Sequence, residues 1–357
     1  METVLETTSG VMSPLHVEML TDAGAADWEA FVARHPHATI FHSLRWRRVV
    51  RATCGHDDYY LVARRNGQVS GILPLMCVRS LIFGTTLISV SFGVYGGIVA
   101  DDRAAAEALA ERARTLAREV GAKYVELRHL HRPLEGLESS RIYSTFIADV
   151  PTELPKCLER IPRKARAEVR HAVAKGNLEW LCEGVTVEHL HSLFALNKRS
   201  LGSPIFPSSL FWHAHNEFRD SAVLHGVRLD GQIATAVLSF VWKGVVMPYY
   251  SGALPGADRH SASNFMYWKL MEWACERKLE KFDFGRSRQG TGAFSFKKHQ
   301  GFEPTQLSYD YILNTAEAIP SLNPSNPRFD HVKKVFATMP LWAAKKVGSW
   351  LAKRAPF

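Results

Sequence analysis

Along its 357 residues the chain spells one order of elements twice, and that repetition restricts the fold more than composition does. Residues 61–75 read strand, tight turn at Asn66-Gly67, strand; residues 226–240 repeat this around Asp230-Gly231. In both stretches a further strand region reaches Tyr95-Gly96 or Tyr250-Ser251-Gly252, then an aspartate, Asp101 or Asp258. A helix follows each time. The first is Ala-rich, over 103–120; the second, over about 263–278, sets Met266, Leu270, Trp273 and Ala274 on one face. Each helix leads into a strand, at 123–128 and 281–286, and matching landmarks lie about 155 to 165 residues apart. The pattern predicts two α/β (α+β) units in tandem, each a mixed twisted sheet flanked by helices. The expected division is a flexible N-terminus over 1–14, a first unit over 15–150, a second over 151–312 and a tail over 313–357. The boundary falls at Val150-Pro151.

Hydrophobic content of 46% with 22% charged residues is that of a folded domain pair. Five scattered cysteines without a C-x-x-C spacing argue against a disulfide framework or a zinc site, and no metal is expected. The first residues carry Glu2 and Glu6 rather than a basic run before an apolar one, so a signal peptide is not expected and a cytoplasmic location is. Residues 81–99 are long enough to span a bilayer, but Gly84, Gly93, Gly96 and Gly97 and many β-branched residues read as two adjacent strands.

The formal charge of +9 is concentrated: residues 156–175 carry a net +5 and residues 325–357 a net +6. Charge localised in this way implies particular anionic partners rather than DNA. Pro162 opens and Gly176 closes a predicted basic helix, with Arg163, Arg166 and Arg170 on one face and Ala165, Val169 and Ala172 on another. Such a helix is either a solvated charged surface or a phosphate-binding one. After Pro320 two short basic amphipathic helices are split by Pro340, with Val347, Trp350 and Leu351 on one face. This tail either packs on its own protein or makes peripheral contact with an anionic membrane.

Residues 282–302 carry the chemistry. Phe282-Asp283-Phe284-Gly285-Arg286-Ser287-Arg288 reads as a buried strand ending in glycine and arginine. A glycine turn at Gly290-Thr291-Gly292 follows, then a short basic helix containing Phe296 and Lys297, then a Gly301-Phe302 stop. Freed backbone amides beside cations suit an anionic or carbonyl-bearing substrate. Thr291 stands where a nucleotide-binding P-loop needs lysine, and no G-x-S-x-G or S-x-x-K nucleophile occurs. Lys297 is either a surface lysine anchoring the Gly301 turn or a half-buried cation awaiting an anion. For Asp283 and Tyr250, strand packing stands beside a binding role.

This order of elements resembles a GNAT-type acyltransferase, and its tandem form resembles the FemAB family of peptidoglycan bridge-forming aminoacyltransferases, most of all the branch linked to exosortase/PEP-CTERM and exopolysaccharide loci. The carrying residues are 264–274, 282–287, Gly290-Thr291-Gly292 and 296–304, with early matches at 41–46. The resemblance covers roughly residues 30–312. It implies two tandem GNAT-like domains that transfer an acyl or aminoacyl group to an amine or hydroxyl of a glycan precursor in cell-envelope or exopolysaccharide assembly. The acceptor would be lipid- or nucleotide-linked. By motif, Phe296 and Lys297 fall at the reaction centre, where a cation meets a developing oxyanion. Arg286 would serve the carbonyl, and Arg288 a carboxylate or phosphate. The expected acceptor or tRNA contacts are Arg163, Lys164, Arg166 and Arg170, and Tyr250, Asn264, Asp283, Gly290 and Gly292 complete the expected substrate contacts. No permanently bound cofactor is implied, and the acyl donor is aminoacyl-tRNA or acyl-CoA. The family's tRNA-handling coiled coil has no counterpart, and Ser287 stands where a GNAT pyrophosphate loop carries Arg or Gln, so the donor stays open. A silent GNAT-fold module that recruits anionic glycolipid or partner proteins is the other reading. Work at the inner face of the cytoplasmic membrane fits either.

Overall fold

The computed structural model describes residues 14–80, 84–320 and 330–355; the expected flexible segment 1–14 lies almost wholly outside them. Both hairpin turns form with positive φ at both central residues, 51° and 76° at Asn66-Gly67 and 49° and 83° at Asp230-Gly231. These are the twist-compatible turns that such dipeptides favour. The first joins strands Leu61–Arg65 and Gln68–Leu73, the second Ala222–Leu229 and Gln232–Trp242. Leu15–Met19 and Val99–Ala100 flank the first hairpin in a four-stranded sheet. Both helices follow on cue. Arg103–Glu119 buries an alanine-rich stripe with Leu109 and Leu116, and Ala262–Glu276 buries Phe265, Met266, Leu270, Met271, Trp273 and Ala274.

The sheets do not divide where a cut at Val150-Pro151 would divide them. Strand Thr305–Leu313, from the far end of the expected second unit, pairs with Tyr124–Arg128 and Glu138–Thr145 of the first. In return, Ile147–Asp149 pairs with Lys281–Asp283 in the six-stranded sheet of the second. Local pattern cannot reveal such an exchange, because sheet membership is settled by backbone pairing between distant residues. In each half, one parallel pair sits among antiparallel neighbours: Gly84–Ile88 with Tyr124–Arg128, and Val245–Ala253 with Lys281–Asp283. Each parallel pairing lasts only two residues before the strands part. The strand region expected to reach Tyr95 ends at Ile88, and residues 89–98 form a loop. Residues 81–83 lie outside the described set, and among the described residues no helix is long and apolar enough to cross a membrane.

The halves share one core. Phe41, Trp46 and Tyr95 of the first meet Phe211, Phe240 and Tyr250 of the second. Ion pairs Arg45–Asp220 and Arg48–Glu217 lock helix Leu44–Cys54 to helix Ser208–Glu217 at the rim. The basic helix spans Arg163–Lys175, with Pro162 at the cap rather than inside the first turn and Gly176 closing it at φ 66°. The tail forms Asp330–Thr338 and Leu341–Ala352.

Candidate functional site

The loosened ends of both parallel pairs meet at one junction. After Lys281–Asp283 the chain turns at Gly285, with φ 68°, and helix Gly292–His299 then lies back over it. Thr291 caps that helix by accepting the Phe294 N–H. This geometry brings Lys297 to the strand end, where its Nζ donates to the carbonyls of Gly285 at 3.0 Å and Arg286 at 3.2 Å. The ammonium also sits 5.4 Å from the Phe146 ring centre and 5.8 Å from that of Phe284. Loss of water in this setting lowers its pKa to about 7; Asp283 opposes that shift and Arg286 adds to it.

Asp283 is buried at the same junction. Its Oδ1 accepts the Gly285 N–H at 2.7 Å and the Tyr95 hydroxyl at 3.3 Å, and Tyr95 also bonds Thr145. Burial raises the carboxyl to about 6, against the pull of those donors and of Lys297. Arg286 stacks its guanidinium 4.4 Å from the Tyr143 ring centre and donates to the Tyr309 hydroxyl at 3.2 Å. Burial works against its charge, which the rings of Tyr143 and Tyr309 and the Glu126 carboxylate favour. Lys198 stands 5.3 Å from the Phe194 ring centre and 5.6 Å from that of Phe206, its pKa lowered by burial and by the field of Arg286. The first half supplies the floor. Buried Arg128 pairs with Glu126 at 2.7 Å and donates to the carbonyls of Val90 and Gly93. That arginine braces the loop that carries Tyr95.

The other expected site residues scatter. Phe296 packs on Tyr267 and edge-on to Phe284, one of the two rings that face the Lys297 ammonium. Tyr250 is 4% exposed within the shared aromatic core, its hydroxyl donating to the Phe92 carbonyl at 3.4 Å. Asn264 clasps Glu168 at 2.6 Å and Gln300 at 2.7 Å, tying the basic helix to the end of the Lys297 helix. Arg288 is held in strand Ser287–Arg288, and Gly290 and Gly292 are exposed at the rim. Arg163, Lys164 and Arg170 are exposed and Arg166 partly so, with Ala165, Val169 and Ala172 turned inward. A groove of about 660 Å³ lies elsewhere, lined by Trp212, His225, Trp273 and Arg277, and takes in none of the expected site residues.

Sequence reading missed Tyr95, Thr145, Arg128, Glu126, Lys198 and Tyr309. Tyr95 carried a usable signal, since it marks the repeat position opposite Tyr250. The others come together only through long-range pairing.

Gly301 shows how tightly the basic helix is joined to this site. At φ 79°, a Cβ there would lie 2.8 Å from Pro162 Cδ and 3.0 Å from the Arg160 carbonyl. Gly301→Ala is expected to cost about 1–3 kcal/mol from backbone strain and crowding combined. Urea denaturation checks this; an unchanged midpoint would mean that the contact yields freely.

Residues 160–298 match the family described as an acetyltransferase (GNAT) domain. No curated protein matches the chain in sequence. Among solved structures, FemX is similar at TM-score 0.64 and 16% identity, covering 89% of this chain and all of its own. A tandem GNAT protein from the clavulanic acid biosynthesis pathway is similar at TM-score 0.51 and 14% identity, over 86% of this chain and 100% of its own. A Bacteroides thetaiotaomicron protein of unknown function reaches TM-score 0.54 at 10% identity, over 84% and 100% of the two chains. The fold is thus of the tandem GNAT type, and the chain is similar to acyltransferases.

Proposed function

We propose that this protein transfers an acyl or aminoacyl group to an amine or hydroxyl of a glycan precursor, with the junction of the two halves as the reaction centre. The observation that carries this is the Lys297 ammonium, held by two backbone carbonyls within the field of Arg286. An ammonium has three donors; among the described residues two are spent on Gly285 and Arg286, and the third has no protein acceptor.

In the proposed step the acceptor nitrogen or oxygen attacks the carbonyl carbon of the donor's ester or thioester. The carbonyl electron pair moves onto oxygen, and the resulting oxyanion takes the free Lys297 proton as a hydrogen bond. Collapse breaks the carbon–oxygen or carbon–sulfur bond. The proton lost by the nucleophile ends on the departing hydroxyl or thiol, directly or through substrate groups. Arg286 and Lys198 supply positive potential for a carboxylate or phosphate on either substrate. Exposed Arg163, Lys164 and Arg170 would take a more distant phosphate of the acceptor or of a charged tRNA. A lipid-linked acceptor would set the work at the inner face of the cytoplasmic membrane.

Purified protein incubated with aminoacyl-tRNA or acyl-CoA and a panel of glycan amines, read by mass spectrometry, tests the reading. A mass gain on an acceptor that requires Lys297 supports it; consumption of no donor would leave a binding module in its place. A cationic Lys297 fixes the sign of the pH dependence. With a hydroxyl acceptor, which does not titrate in this range, its pKa near 7 means that kcat/KM should be flat just below pH 7 and fall about tenfold per unit above it. Lys297→Arg should keep part of the rate and lose that alkaline limb, because arginine stays charged. With that hydroxyl acceptor, a rate rising through pH 7 would contradict the cationic role.

A further inference from the structure

We propose that the C-terminal helix Leu341–Ala352 is an interfacial anchor that seats the protein on an anionic lipid surface. This deepens the reading above by naming where a lipid-linked acceptor would be met, and it stands on different residues.

The inward face of that helix is closed. Ala344, Gly348 and Ala352 are buried, and a Cβ on Gly348 would lie 2.4 Å from the Ile205 backbone nitrogen. Phe336 of the preceding helix, 4% exposed, packs into the same cluster with Ala195 and Ile205. The stripe expected from sequence splits: Leu351 packs against that cluster, while Val347 is 40% and Trp350 48% exposed. With small residues pressed on Ile205, the helix cannot roll to hide its other side.

That other side is built to one pattern. Trp342, Lys346, Trp350 and Arg354 follow at four-residue steps and so form one row. Trp342 is 73% exposed, and the Arg354 guanidinium sits 4.8 Å from the Trp350 ring centre. Exposed Lys334 and Val335 add a cation and an apolar side chain on the helix before it. No Asp or Glu occurs after Asp330.

Alternating indoles and cations suit a bilayer's headgroup level, where the ring enters the acyl boundary and the cation meets lipid phosphate. A second copy of this chain fits poorly. A two-fold contact through this row would set Lys346 and Arg354 against their own equivalents without an acid to offset them. The helix is too short to span, so it would lie in the interface plane.

The test uses the full chain with sedimented vesicles of phosphatidylcholine, with and without phosphatidylglycerol. The parent should bind the anionic vesicles at least about tenfold better at low salt and lose that binding as salt rises. Trp342→Ala/Trp350→Ala and Lys346→Glu/Arg354→Glu should each lower binding about tenfold or more, with circular dichroism unchanged and transfer to a water-soluble acceptor retained. Lys297→Met should keep vesicle binding, so failure of the anchor and failure of the transferase reading are separable. Binding unaltered in both double variants, no binding by the parent, or a self-association abolished by the tryptophan pair without vesicle binding would each overturn the proposal.

Discussion

Lys297→Met is expected to lower kcat/KM for transfer about 10²–10³-fold, the usual loss when one oxyanion donor is removed. The fold should survive. Methionine forfeits two hydrogen bonds to the Gly285 and Arg286 carbonyls, each worth about 1 kcal/mol. It also removes a cation that the site disfavours, since burial pulls the lysine down to about 7 from 10.5. The sign is fixed by that direction: relative to the neutral amine, the lysine costs stability increasingly as pH falls from about 10.5 to about 7. At neutral pH these terms oppose each other, and the thermal midpoint should move by only a few degrees. Asp283 would lose its nearby cation, so its carboxyl, already near 6, should titrate higher still. Unchanged transfer would end the catalytic assignment; a large drop in midpoint would return Lys297 to the role of an anchor for the Gly301 turn.

Arg128→Met is expected to be the most damaging single change in the first half, at about 3–5 kcal/mol. Its side chain is 2% exposed and its Glu126 partner 7%, so removing the guanidinium strands a buried carboxylate. The Val90 and Gly93 carbonyls lose their donor in the same stroke. These carbonyls belong to the loop that presents Tyr95 to Asp283, so transfer should fall along with stability. Pairing the change with Glu126→Gln should restore part of the lost stability, because the stranded charge is then removed. Chemical denaturation of the two variants measures this, and a single-variant cost under about 1 kcal/mol would mean that the pair is solvated or idle.

Much of the scaffold is readable one segment at a time. Asn66-Gly67 and Asp230-Gly231 name their turns because few other pairs accept positive φ at both positions. The two helices follow from residues repeating on one face, and Gly176 ends the basic helix because it alone escapes the left-handed penalty there. Lys297 could be singled out because the Phe296-Lys297 pair before the Gly301 bend resembles the reaction-centre motif of the FemAB family. Asp283 and Arg286 stand in the same segment and could be named with it, but the partners from the first half could not. Asp283 and Lys297 are 14 positions apart, whereas Tyr95 and Asp283 are separated by 188 and Arg45 and Asp220 by 175.

Turn chemistry, capping and helical periodicity are local free energies, each resolved within a few residues, and so the order of elements and the doubled α/β plan are written in the chain. The exchange of Ile147–Asp149 and Thr305–Leu313 between sheets is different in kind, and so are the choice of Ala344 and Gly348 as a packing face and the meeting of Tyr95 with Asp283 beside Lys297. Those depend on which distant surfaces exclude water from one another, and only the folded chain brings such surfaces into contact.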